Sequence, residues 1–253
     1  MFKIDLSESF PLLSHAPIIE AVIGLTARPE ITWNESEIPE QFKQRLAEYS
    51  NFESHFRFSQ NFKFDPKSKP EQTTPEKKWL GISCKSENNL HVAQFNRDGF
   101  LFSRLKPYQD WEHFCGEGLR LWKLYDEIAR PSEIQRMGLR FINRIEFSQD
   151  RVRLEDFLED SPKSPRGMDI PFQAFLHHNT LSVPGEPYSI NIVQTIQPPQ
   201  GDAKFGVILD IDVSTTEPIV NRDLIEKHLE NMRWLKNKVF FGSITTKTLE
   251  MIK

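Results

Sequence analysis

Two cysteines in 253 residues, Cys84 and Cys115, cannot build a disulfide framework. With no CxxC and no Cys/His cluster around them they offer no zinc site either. They read as small buried hydrophobes of a reducing compartment, so the expected location is cytoplasmic. Glycine (11) and proline (17) are too few for a collagenous or low-complexity chain. Long apolar runs are missing as well: the best, Ala16 to Leu25, is interrupted by Glu20 and is half the length of a membrane span. Neither a membrane anchor nor a secretion signal is expected. Charge of one sign is also lacking, with 32 Lys plus Arg against 36 Asp plus Glu and a net of −4. No global field draws in nucleic acid, and any such contact must be local. GxSxG, HExxH, P-loop and GxGxxG patterns do not occur, so the reading leans away from an enzyme, with no cofactor and no metal site expected.

What is there is a folding composition, 38% hydrophobic and 27% charged, with aromatics weighted to phenylalanine: Phe 20 against Tyr 4 and Trp 5. Alternation over Pro17 to Arg28 predicts a strand, and Pro39 to Tyr49 a short amphipathic helix. Phe56, Phe58, Phe62 and Phe64 stand at even positions and are expected to share one side of a strand. Residues 65–78 read as an exposed loop. Two strands, Trp79 to Ser86 and Asn89 to Asn96, are followed by an Asp98-Gly99 turn into a third, Phe100 to Leu105. Trp111 to Ala129 carries the broadest helical stripe and stops before Pro131. Ile134 to Phe147 predicts a long strand, and Pro171 to Val183, Tyr188 to Gln197 and Lys204 to Val213 predict three more. A helix with buried stripe Leu224, Ile225, His228, Leu229, Met232 and Leu235 follows Asn221, and a short one starts near Thr245. The class is α+β: two lobes of mostly antiparallel sheet with long amphipathic helices packed on them, residues 1–150 and 151–253, or one composite domain. Phe100, Phe102, Phe240 and Phe241 have no assured burial, and exposure of all four together would mark a protein interface.

Candidate binding residues cluster on the Ile134 to Phe147 strand. Arg136, Arg140 and Arg144 fall four apart, in one row at about 13 Å spacing, far enough apart to need separate partners. They suit an extended anionic ligand; the plainer expectation pairs each with a carboxylate such as Glu20 or Glu146. Asn143 interrupts the apolar side of the same strand, where a buried amide must be hydrogen-bonded, so a structural lock is expected of it. Glu20, within an apolar run, is expected to be neutralised by Arg140 or Arg144. Asp210 and Asp212 point the same way from one strand and can hold a divalent ion if a third carboxylate joins them; none is identifiable. His177 and His178 are adjacent and cannot chelate one ion together.

Three segments resemble an uncharacterised, sporadically distributed family of prokaryotic proteins of similar length. They are Ala16-Pro17-Ile18-Ile19-Glu20-Ala21, Pro107-Tyr108-Gln109-Asp110-Trp111 and Gly138-Leu139-Arg140-Phe141-Ile142-Asn143-Arg144-Ile145, with a weaker likeness through Phe240-Phe241-Gly242-Ser243-Ile244-Thr245. The resemblance implies a two-lobed α+β protein of bacterial or archaeal origin, and by its patchy distribution an accessory role in defence or toxin–antitoxin loci. Taken together, the expectation is a non-catalytic protein that binds a protein or peptide partner, with Glu20, Arg136, Arg140, Asn143 and Arg144 lining or bracing a groove. The alternatives are a metal-assisted hydrolase or nuclease using Asp210 and Asp212, with Glu20 as a candidate third carboxylate, and a nucleic-acid-binding protein using the arginine row.

Overall fold

The computed structural model describes residues 2–30, 33–59, 76–147, 153–168, 170, 172–197 and 205–253 with their side chains, and the backbone of 62–63 and 71–72. In chain order the elements are β1 (Ile18–Pro29), α1 (Ile38–Arg45), β2 (Tyr49–Ser59), the short pair β3 (Phe62–Lys63) and β4 (Glu71–Gln72), β5 (Glu76–Ser86), β6 (His91–Asn96) and β7 (Gly99–Leu105). Then come α2 (Trp111–Ala129), β8 (Pro131–Glu146), β9 (Leu176–Ser182), β10 (Tyr188–Gln197), β11 (Gly206–Thr215), α3 (Ile225–Ser243) and α4 (Thr246–Ile252). The fold is α+β. Its main sheet has nine strands in the order β2-β5-β6-β7-β1-β8-β11-β10-β9, every neighbouring pair antiparallel, and it runs through both halves of the chain.

Period-two alternation decides the two faces of this sheet. Ala21, Ile23 and Leu25 of β1, Phe100 and Phe102 of β7, Met137, Leu139 and Phe141 of β8, and Leu209, Ile211 and Val213 of β11 all turn to one side and are buried. α2 and α3 cover that side. Phe114 of α2 stacks on Phe102 at 5.6 Å and meets Phe141 edge-on at 5.8 Å, while α3 lies along β8 and β11. Each large aromatic enclosed this way contributes roughly 2–3 kcal/mol. Gly118 sets how close α2 comes: a Cβ there would lie 2.7 Å from Ile23 Cδ1 and 3.3 Å from the Phe102 ring. Asp110 caps α2 by accepting the His113 amide at 2.8 Å. The helix ends where Arg130 turns left-handed (φ 44°) and Pro131 opens β8.

The two halves share a succession of elements, apart from α1, α4 and the number of strands. β1 is followed by strands ending in β7, its sheet neighbour, and then by α2; β8 is followed by strands ending in β11, its sheet neighbour, and then by α3. α2 and α3 are both 19 residues long. As many residues separate Gly24 from Gly138 as separate Trp111 from Ile225, the first residues of the two helices. Gly24 and Gly138 also stand directly opposite each other where β1 and β8 pair.

Several expectations need correction. Phe58 is 69% exposed, and Phe56 faces the Lys77 ammonium, 3.7 Å from its ring centroid. Phe56 and Phe58 keep the same parity in β2, but β2 is an edge strand, which leaves Phe58 uncovered, and Phe62 belongs to the separate short strand β3. The side chains of Phe62 and Phe64 lie outside the described residues, as does most of the 65–78 loop and the 148–152 part of the expected boundary. Phe100, Phe102 and Phe240 are core residues, and Phe241 stacks on Phe10 at 5.5 Å, so these four rings form no exposed patch. α3 starts at Ile225, after a 3-10 turn in which the Asn221 side chain accepts the Asp223 amide, and continues past Leu235 to Ser243.

Candidate functional site

The arginine row lies on the sheet face opposite α2 and α3, and each of its guanidiniums meets an acid. Arg140 grips Asp210 with two parallel bonds, Nε to Oδ1 at 2.8 Å and a terminal nitrogen to Oδ2 at 2.5 Å. Those bonds hold its proton more firmly than in an isolated arginine. Arg136 reaches Asp212 at 3.0 Å by folding over Gly138, where a Cβ would stand 3.0 Å from the guanidinium. Arg144 bonds Glu146 and donates to Gln197 Oε1 at 2.8 Å. Arg140–Asp210 is a diagonal cross-strand pair, since Asp210 is opposite Ile142, whereas Arg136 reaches twice as far along the strands to Asp212, which is opposite Arg140 in the β8–β11 register.

Three of the expectations meet this face. The separate partners demanded by the arginine spacing are present, but they are acids of β11 and of β8 itself. Glu20 stands opposite Ile142 and Leu105 and joins none of the ion pairs among the described residues, because β11 already supplies Arg140 with its acid; its charge acts on Arg140 only as a minor contribution behind the Asp210 bonds. Asp210 and Asp212, the pair a metal reading needs, are each engaged by an arginine, and no group of three or more His, Cys, Asp or Glu positioned for an ion occurs among the described residues.

Asn143 is separated from this row by the pleat. It is 2% exposed on the helix-covered face, and its Nδ2 donates to the Leu209 carbonyl at 2.9 Å, tying β8 to β11. The five candidate residues therefore do not converge on one site. Asn143 instead borders a cavity of about 480 Å³ between the start of α2, α3 and the segment preceding β1. That N-terminal segment runs along α3: Phe2 meets Trp234 edge-on at 5.8 Å, Phe10 stacks on Phe241, and Glu8 accepts from Lys238 at 2.6 Å. Its far end is fixed by Ser14 and His15 amides donating to the carbonyls of Lys253 and Ile252. Trp111 Nε1 donates to Glu230 at 2.6 Å, joining α2 to α3 across the cavity.

Two cations of α3 line this cavity. Arg233 lies 5.1 Å from the Trp111 ring and pairs with Glu230 at 3.5 Å and Glu112 at 4.0 Å. Lys236 has no such acid: among the described residues its ammonium donates to Asn237 Oδ1 at 2.5 Å and stands 4.1 Å from the Phe141 ring centroid, without an ion pair. Lys236 is half-buried, and it lines the cavity. Burial, reinforced by the Arg233 charge, pushes its pKa down to about 7. The sequence holds one trace of this lysine: it falls four residues after buried Met232 and four before buried Phe240, inside an apolar stripe.

A second cleft of about 620 Å³ lies on the other side of the α2 start, bordered by Tyr49, His91, Arg104, His113 and Glu117. Arg104 is 8% exposed, hydrogen-bonds His91 Nε2 at 3.1 Å and donates to the Pro107 carbonyl at 2.9 Å. Burial and the Arg104 charge hold His91 below the ordinary histidine range, so the neutral ring accepts this bond. Tyr49 donates to Glu117 at 2.7 Å, and Arg120 clamps the same carboxylate at 2.8 Å. These partners satisfy one another and read as a brace between β2, β6, β7 and α2.

Compared with known proteins, the chain matches no family model, no curated protein and no solved structure. No helix among the described residues is long and apolar enough to cross a membrane.

Proposed function

We propose that this is a binding protein whose ligand enters the cavity between α2, α3 and the N-terminal segment. The observation that carries the reading is the convergence of these three stretches on one open cavity. Three separate stretches of chain, tied by Trp111–Glu230, Phe10–Phe241 and Lys238–Glu8, line an open cavity of about 480 Å³, a volume suited to a small molecule or a single inserted side chain. The arginine row contributes little to this function, because Asp210, Asp212 and Glu146 neutralise it. The same neutralisation weighs against a nucleic-acid track, which needs uncompensated cations. It weighs equally against a nuclease built on Asp210 and Asp212.

The two-lobed reading belongs to the proposal in a specific form: a duplicated strand–meander–helix unit whose copies share one sheet, supported by the recurring element order and the equal spacing of Gly24/Gly138 and Trp111/Ile225. A cytoplasmic setting is supported by two buried free thiols, Cys84 and Cys115, each with its pKa pushed up to about 12 by burial. A thermal-shift screen of a small-molecule set tests the binding reading, run on the native chain and on a variant with the cavity filled, Asn237→Trp. Compounds that raise the melting temperature of the native chain but not of the filled variant support it; a set of hits indifferent to the filling overturns it.

A further inference from the structure

The geometry points to an amphipathic organic anion as the cavity's ligand: one carboxylate-like group against Lys236, and a flat apolar body among Tyr108, Phe10, Phe240 and Phe241. This rests on the cavity being the binding site and adds the chemistry of what it takes. A half-buried ammonium with no counter-ion among the described residues is costly, and a ligand anion is a partner that lowers the cost.

The acids around the cavity do not play that part. Glu8 is held by Lys238, Asp110 by the His113 amide and ring, and Glu112 and Glu230 by Arg233, with Glu230 also accepting from Trp111. Tyr108 keeps its proton, since burial raises its pKa. What Lys236 meets directly is the face of Phe141 and the amide oxygen of Asn237. The remaining lining near it, Asn143, Ile18 and the aromatic rings, is uncharged. Only the ammonium and Arg233 present positive charge inward, and both sit on one side, on α3. The opposite walls carry the rings of Phe10 and Tyr108 alongside acids that already have partners, Glu8, Asp110 and Glu112, so a ligand's charged end is directed to α3 and its apolar body to the rings.

The lowered pKa of Lys236 gives the inference a pH signature. A bound anion favours the protonated amine, so anion preference is full on the acid side of neutrality and fades as the amine deprotonates.

The test uses 2-naphthoate and its uncharged isostere 2-naphthamide, with the emission of Trp111 and Trp234, which border the cavity, as the readout. The expected result is saturable quenching by both, with naphthoate at least about tenfold tighter at about pH 6 and the difference shrinking toward about pH 9. Lys236→Met is expected to remove the preference while leaving naphthamide binding in place. Equal affinity for the two probes, or a preference that survives Lys236→Met, overturns the anion assignment and leaves the cavity reading standing. No saturable quenching by either probe overturns both.

Discussion

Replacing Lys236 with methionine should make the protein more stable, and the gain should depend on pH in a defined direction. The unfolded chain holds this amine near its ordinary pKa of 10.5, whereas the folded protein lowers it to about 7. Above the unfolded value both states are neutral and the residue costs nothing. As pH falls, the unfolded chain takes up a proton that the folded protein resists, and the penalty grows until the folded amine also protonates near neutrality; below that it is constant. At about 1.4 kcal/mol for each tenfold change in proton affinity, the ceiling is about 5 kcal/mol. The Phe141 face, the Asn237 oxygen and water in the open cavity offset part of this, so a gain of about 2 kcal/mol is expected at about pH 6. Methionine keeps the length and packing of the lysine stem, so the comparison isolates the charge. Urea unfolding of both proteins at several pH values, followed by tryptophan emission, measures it. The gap between the curves should close as pH rises toward 10. A gap that is constant with pH, or a variant that is less stable at pH 6, refutes the placement of Lys236 as an enclosed, unpaired cation.

Three further outcomes are expected. A double-mutant cycle on Arg140→Ala and Asp210→Ala, read by chemical unfolding, should give a coupling of only about 0.5–1 kcal/mol, because Arg140 is half exposed; the bidentate geometry puts it at the upper end of that range. Gly118→Leu should cost about 3 kcal/mol or more in the same assay, since even a Cβ there meets Ile23 at 2.7 Å and α2 must lift from the sheet. His91 is held neutral in the fold, so its contribution is present above the ordinary histidine pKa and is lost as pH falls below it. The native protein should therefore lose more stability than His91→Gln between about pH 7 and pH 5.

Much of the fold was legible along the chain because alternation and helical spacing are local. β1, β10 and α2 occur within a residue or so of where the pattern places them, and the Asp98-Gly99 turn joins β6 to β7 as its residue types require. The exposure of Phe58 was not legible because β2 becomes the edge of the sheet, and strand order leaves no trace in local spacing. The candidate site was harder to read because it depends on which strands become neighbours. Arg136, Arg140 and Arg144 were visible as a row, yet their meaning changed when β11 brought Asp210 and Asp212 alongside. Asn143, one residue from Arg144, went to the other face by the pleat alone.

By itself the amino-acid sequence determined which side chains of each strand and helix face the core, because that follows from periods of two and 3.6 residues within one element. Only the tertiary structure decided that the arginines are neutralised and that Lys236 has no acid partner among the described residues. Neutralisation depends on the register between β8 and β11, strands separated by two others in sequence, and the isolation of Lys236 depends on α2 and the N-terminal segment closing over α3. Those are contacts between distant parts of the chain, and no local pattern encodes them.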